Sequence, residues 1–226
     1  MKNVREKIAI KSPDGSLNWA NFPRFSLRRH VLYRAAKRGK GAWYFCHSGD
    51  CRFDLPSPRG TLYAGTDELS GLLESIGLDW CAGKRAAVLI PELVNERQIH
   101  SYKPPAIWQL ANLCHRKAAG FRVSNELADM TPYDIPREYA MIFDATRDRV
   151  GRRRFHGIRF RSRFDPGTLP RGVALFGEEG ERPWVSSKVR EIDDELIAEL
   201  AAIGIAVEEP PASDELEPVK EESEAA

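Results

Sequence analysis

Leu69, Leu72, Leu73 and Ile76 recur at i, i+3, i+4 and i+7, the spacing that lines one side of an α-helix. Thr66 stands ahead of them as a cap, Asp67 and Glu68 fill the first turn and Gly77 follows, so the pattern predicts a helix over 67–76. Ile107, Leu110, Ala111 and Cys114 repeat the spacing between Pro104-Pro105 and Gly120 and predict a second helix. A third is predicted from Asp193 to Ala202, with Leu196, Ile197, Leu200 and Ile203 on one side and Gly204 as its stop. Strand-forming residues gather at His30–Arg34 and Ala42–Phe45 around a basic turn at 37–41, at Leu62–Ala64 and at Ala86–Leu93. Tyr139–Phe143, Gly157–Phe160 and Val173–Phe176 supply three more short apolar runs.

Short strands interrupted by a few helices, without βαβ alternation, predict an α+β fold with a mixed β core. Residues 1–23, with a turn at Pro13-Asp14-Gly15 and scattered anchors at Trp19 and Phe22, read as an irregular N-terminal arm, and the folded core is expected from Arg24 to 206. The Pro, Ser and Glu content of 207–226 predicts a disordered acidic tail.

A length of 226 residues with 42% hydrophobic side chains fits one domain with one sizeable core. The N-terminus opens into charged residues, and no apolar run approaches the length of a membrane span, so a soluble cytoplasmic protein is expected. Cys46, Cys51, Cys81 and Cys114 are widely spaced, which predicts reduced thiols rather than a disulfide framework. The net charge of +1 hides an asymmetry: 207–226 carries eight acidic residues and one lysine, leaving the body basic.

Three polar side chains stand at equal intervals of eleven residues: Arg52, Tyr63 and Glu74. At 100° per residue Glu74 lies well off the leucine stripe of its helix and must face either solvent or a cavity. A lone helix glutamate is normally solvated, and a strand tyrosine is often only half-buried core. A guanidinium fork such as Arg52 or Arg34 suits a pyrophosphate, which a lysine cannot grip in the same way. Ser162 offers a hydroxyl hydrogen bond to a ligand or to its own strand end, and with no Gly-x-Ser-x-Gly elbow around it a nucleophile is not expected. Cys46-His47, Cys51, Cys81 and Cys114-His115 lack paired ligand spacing, so no metal is expected.

Five segments in order resemble the RES family of bacterial NAD-consuming toxins: Leu32-Tyr33-Arg34, Asp50-Cys51-Arg52-Phe53-Asp54, Leu62-Tyr63-Ala64, Gly71-Leu72-Leu73-Glu74 and Gly157-Ile158-Arg159-Phe160-Arg161-Ser162. The resemblance runs from about Val31 to Phe176. It implies a fold related to ADP-ribosyltransferases and an enzyme that consumes NAD by hydrolysis, phosphorolysis or ADP-ribosyl transfer. It also implies a protein antitoxin that covers the cleft. In such a site Glu74 would stabilise the ribosyl cation and Tyr63 would stack on nicotinamide, with Arg52 and Arg34 on the phosphates and Ser162 as an auxiliary donor. Cys51 and Asp54 depart from the family's Gly and Asn, and a carboxylate at 54 would repel a pyrophosphate if it pointed inward.

The competing expectation is a catalytically weak RES-fold protein. It would bind nucleic acid or a protein partner through the arginines of 147–163, with Phe155 and Phe160 interleaved.

Overall fold

A computed structural model of the chain describes residues 10–209 apart from 29, 82–87, 166, 168, 170 and 185–187, and leaves the side chains of 78–81 undescribed as well. Its centre is an eight-stranded sheet built from β1 (Arg24–Ser26), β2 (Leu32–Lys37), β4 (Arg59–Gly65), β6 (Arg97–Tyr102), β7 (Gln109–Asn112), β8 (Gly157–Phe160), β9 (Gly172–Glu178) and β11 (Lys188–Glu191). The spatial order is β1-β7-β8-β9-β4-β2-β6-β11. The pairings are antiparallel except β7 with β8, which is parallel. Two small ladders flank it: β3 (Tyr44–Phe45) with β10 (Gly180–Glu181), and β5 (Val88–Leu89) with β12 (Ala206–Val207). With five helices beside the sheet this is the expected α+β architecture: α1 (Glu68–Cys81), α2 (Pro91–Asn95), α3 (Glu126–Asp129), α4 (Asp134–Ala145) and α5 (Asp194–Ala202).

Because side chains alternate along a strand, the register sorts residues onto two faces. Tyr63 pairs with Ala174 and Thr61 with Phe176 on one face, while Leu62 pairs with Leu175 and Ala64 with Val173 on the other. The second face carries a core of Leu32, Trp43, Phe45, Leu62, Tyr102 and Leu175. The Tyr63 face carries two cores. One joins α4 (Tyr139, Phe143) to Ile158, Phe160 and Phe176, and the other joins α1 (Leu72, Leu73, Ile76) to Ala35, Ile99 and Leu196. Each fully buried Leu, Ile or Phe contributes about 1.5–3 kcal/mol. Together these cores seat α1 and α4 on the same face of the sheet.

Helix α1 meets the sheet at close range. A Cβ on Gly71 would collide with the carbonyl of Tyr33, and one on Gly77 would overlap the Phe164 ring. The helix therefore continues through Gly77, where the sequence predicts a stop, because that glycine leaves room for an aromatic ring. Its start also differs from expectation: Asp67, not Thr66, caps it, accepting from the Ser70 amide at 2.8 Å while the Asp67 amide bonds back to the Ser70 hydroxyl. Helix α5 falls where predicted, capped by Asp193 and followed by Gly204 at φ 88°.

Other expectations are corrected. The segment around 107–114 is strand β7, not a helix. The run at Tyr139–Phe143 belongs to helix α4, and the run at 86–93 divides into β5 and α2, with 86 and 87 outside the described residues. β2 and β3 do not form a hairpin: β2 pairs with β4 and β6, and β3 pairs with β10. The core begins before Arg24, since Ile10, Trp19 and Phe22 are buried with Phe121, Tyr139 and Phe143. Val207, expected in the tail, pairs with Leu89 in β12, and residues 210–226 lie outside the described residues. Among the described residues no helix is long and apolar enough to cross a membrane.

Candidate active site

Strand β4 carries Tyr63, the loop before it carries Arg52, and helix α1 carries Glu74. All three line one pocket of about 130 Å³ together with Asp50, Cys51, Ser75, Tyr133, Arg163 and Phe164. The glycines explain how Glu74 gets there. Gly71 and Gly77 sit three residues either side of it, so this side of α1 has no bulk and lies tight against Tyr33 and Phe164. The leucine stripe faces its own core, and the glutamate is directed into the protein rather than into water.

The Glu74 side chain is only 3% exposed. One carboxylate oxygen lies 3.7 Å from the Arg52 guanidinium, and the other, Oε1, is buried with no hydrogen-bond partner. Burial pushes its pKa above the ordinary carboxylate value, opposed by the charge of Arg52, the hydroxyl of Ser162 and the charge of Arg163. A buried acceptor without a donor is costly to leave empty, so Oε1 is suited to a cationic or hydrogen-bonding ligand.

Arg52 is held rigidly. Its guanidinium donates to the carbonyl of Ala128 and lies 5.2 Å from the centroid of Phe160 and 5.7 Å from that of Phe164. With one edge on a carbonyl and the other toward Glu74, it acts chiefly as the counter-charge that keeps a buried carboxylate ionisable. Tyr63 is fixed through its phenol, which accepts from the Phe53 amide at 2.7 Å and donates to Asp54 at 3.2 Å. Burial and the neighbouring Asp54 carboxylate push the phenol pKa well up, so the hydroxyl stays protonated.

Asp54 does not point at a ligand. Besides Tyr63 it accepts from the amides of Gly49 and Cys51 and from the Ser48 hydroxyl. These donors close the 48–54 loop around the carboxylate, which does not line the pocket. Cys51 is kept neutral by burial beside Asp54, its pKa pushed up to about 12.

Ser162 is buried outside the pocket wall. Its oxygen accepts from the Phe164 amide at 3.0 Å, which leaves the hydroxyl proton free for the Glu74 carboxylate. Its hydroxyl therefore satisfies its own strand end and helps to hold the Glu74 pKa down. Arg34 is separated from the others by the pleat: Tyr33 pairs with Gly65 and so shares the Tyr63 face, which puts Arg34 on the opposite one. There its guanidinium donates to the carbonyls of Ala42 and Tyr44 and is partly buried. The pocket is built without it.

The sequence does not point to Tyr133 or Phe164, and it places Arg163 in the basic 147–163 segment rather than at this pocket. Arg163 and Phe164 directly follow Ser162, so adjacency to that motif was the available signal; Tyr133 precedes α4 in an irregular turn and carried none. The arginines of 147–163 are dispersed. Arg153 joins Arg59 on Asp144, Arg152 pairs with Asp148, Arg154 donates to the Ala20 carbonyl and Arg159 lies 3.9 Å from the centre of the Phe25 ring. A larger hollow of about 720 Å³ lies elsewhere, lined by Ile10, Phe121 and Tyr139, and the acids on its wall are a half-buried Asp14 and an exposed Glu126. Among the described residues no cluster of His, Cys, Asp and Glu could hold a metal ion.

No family model matches the chain, and no curated protein matches it in sequence. In structure it is similar to a chain of the M. tuberculosis MbcT–MbcA toxin–antitoxin complex, with a TM-score of 0.54 over 80% of this chain and 92% of that one, at 12% sequence identity. At that identity the likeness defines a shared fold.

Proposed function

We propose that this protein is a RES-type enzyme that breaks the nicotinamide–ribose bond of NAD, with Glu74 as the catalytic carboxylate. The observation that carries the reading is the meeting of Arg52, Tyr63 and Glu74, eleven residues apart in sequence, around one pocket in which a buried Glu74 oxygen has no partner. The shared fold with a chain of a toxin–antitoxin complex supports it.

Nicotinamide leaves from a cation, taking the electron pair of the C1′–N bond, so departure needs no proton and one carboxylate suffices where ordinary glycoside cleavage uses two. Glu74 would stabilise the positive charge that develops on the ribose as that bond breaks. The ring of Tyr63, locked by its phenol, would face the pyridinium and contribute about 1–2 kcal/mol of stacking and cation–π attraction. Arg52 and Ser162 would hold the carboxylate in place and ionised. Water or phosphate then adds to C1′ and gives up its proton, or an acceptor side chain takes the ADP-ribose.

Ligand pockets commonly reach about 300–1,000 Å³. A cavity of about 130 Å³ suits the nicotinamide end alone. The rest of the dinucleotide would lie across the mouth, where a protein antitoxin would block access by covering it. Incubating the purified protein with NAD, with and without phosphate, and identifying products by mass tests the proposal. Free nicotinamide with ADP-ribose or its phosphorylated form is expected. Intact NAD after prolonged incubation at micromolar enzyme would refute it.

A further inference from the structure

Arg137 and Arg163 both bear on Tyr133. The Arg163 guanidinium donates to the Tyr133 hydroxyl at 2.7 Å and lies 5.7 Å from its ring centroid, while Arg137 lies 5.8 Å from that centroid and donates through Nε to the Cys51 carbonyl at 3.3 Å. Arg163, Tyr133 and Cys51 all line the pocket that holds Glu74. Among the described residues neither guanidinium has a carboxylate within ion-pair distance, although other arginines of the chain do: Arg59 and Arg153 share Asp144, and Arg171 takes Asp67 and Asp165. The Nε of Arg163 is buried with no hydrogen-bond partner. Arg163, with an unmet buried donor, thus lines a cavity too small for more than one ring of the substrate, and Arg137 stands next to it on the Cys51 carbonyl and the Tyr133 ring.

We infer that Arg163 and Arg137, held against Tyr133, form the seat for the substrate's pyrophosphate, the role that Arg34 cannot fill from the opposite face of the sheet. The inference rests on the NAD reading above and adds to it the residues that select a dinucleotide over a nucleoside. Guanidinium forks match phosphate oxygens in pairs, and among the described residues neither fork is closed by a salt bridge, although the charge of Arg163 also favours the ionised form of Glu74. Tyr133 makes the seat rigid: its hydroxyl fixes Arg163, and its ring offers both guanidinium groups a π face. The order of groups fits the substrate, with the acid and Tyr63 inside for the nicotinamide-bearing ribose and the cations outside for the phosphates.

Calorimetric titration of the full chain and of Arg163→Met and Arg137→Met variants, each checked for its fold by circular dichroism, separates the possibilities. The ligands are ADP-ribose, nicotinamide riboside and inorganic phosphate. Loss of each arginine is expected to weaken ADP-ribose about tenfold or more, from the usual strength of a hydrogen bond to a charged group. Nicotinamide riboside, which lacks the pyrophosphate, should change by less than about twofold. Arg163→Lys, which keeps the charge without the fork, should recover only part of the loss and stands in if Arg163→Met does not fold. Undiminished ADP-ribose affinity in the variants overturns the inference while leaving the NAD reading intact. So does loss of inorganic phosphate binding alone, which would assign the seat to an acceptor. A wild-type chain that binds neither ADP-ribose nor nicotinamide riboside overturns both readings.

Discussion

Tyr63 and Asp54 are joined by a hydrogen bond of 3.2 Å from phenol to carboxylate, and through it the aromatic wall of the pocket is tied to the loop that delivers Arg52. Asp54 accepts from three further donors, two of them backbone amides. Asp54→Ala would strand these donors, and the expected loss of stability is about 2–4 kcal/mol, since unmet buried groups cost about 1–3 kcal/mol each and do not add fully. Tyr63→Phe removes only the phenol and should cost about 1 kcal/mol. Urea unfolding midpoints check both. A larger loss for Tyr63→Phe than for Asp54→Ala would show that the phenol, not the carboxylate, organises the loop.

Glu74→Gln should reduce NAD turnover by about a thousandfold, the scale on which a charge-stabilising group is felt in a closed site. It also has a signature in stability. Burial raises the Glu74 pKa, so the folded state binds this proton more tightly than the unfolded chain does. Wild type is therefore unpenalised below the unfolded carboxylate value and loses stability, relative to the glutamine variant, as pH rises through the folded pKa. The difference in Tm between variant and wild type should shift in the variant's favour as pH rises above the ordinary glutamate value of about 4.3. A difference that stays flat with pH would mean that Glu74 is not held in a desolvating environment. Catalysis moves the opposite way: turnover should rise with pH as Glu74 ionises, through a pKa above the ordinary carboxylate value.

The elements legible in the sequence were those buried on one side. The Leu69, Leu72, Leu73, Ile76 stripe and the 193–202 helix read correctly because each turns one face to a core. Strand β7 did not: Leu110 faces one core and Ala111 another, so a doubly buried strand presented an apolar run whose outer members, Ile107 and Cys114, fell by chance at helical spacing. The run at Tyr139–Phe143 reads only as apolar, too short to show its period, and its buried members Tyr139, Ala140 and Phe143 sit on one side of helix α4. In the site, the convergence of Arg52, Tyr63 and Glu74 was legible from motif order. The position of Arg34 was not, because it depends on the register that joins Tyr33 to Gly65.

Arg34 offers a direct contrast. Its guanidinium is partly buried on two main-chain carbonyls that hold the start of β3, and burial lowers its pKa. Arg34→Met keeps the length of the side chain while removing these bonds and should destabilise by about 2–4 kcal/mol, because two carbonyls lose a charged donor. KM for NAD should stay within about twofold of wild type. A large rise in KM with unchanged stability would return Arg34 to the binding site.

Cys51 lines the pocket, yet its thiol should be inert. With a pKa pushed up to about 12 by burial and by the Asp54 carboxylate, almost none of it is thiolate at neutral pH. In the native protein at pH 7.5, iodoacetamide should modify Cys51 far more slowly than it does in urea, as followed by peptide mass. Modification at equal rates in the two states would contradict the closed loop.

Gly77→Ala inverts an ordinary rule. In an exposed helix, replacing glycine by alanine stabilises by about 0.5–1 kcal/mol. Here the new Cβ would overlap the root of the Phe164 ring, which cannot step aside as a flexible chain end can, since that ring also contacts the guanidinium groups of Arg52 and Arg163. Overpacking of this kind costs about 1–3 kcal/mol, so the net change should be a loss. Because Phe164 lines the pocket beside Glu74, the displaced ring should also lower turnover. Phe164→Ala in the same chain removes the overlapping Cγ and Cδ atoms, and the double variant should be more stable than the sum of the two single losses predicts. Strict additivity in a double-mutant cycle would show that the two residues do not touch, and with that the glycine face would no longer account for how α1 brings its glutamate inside.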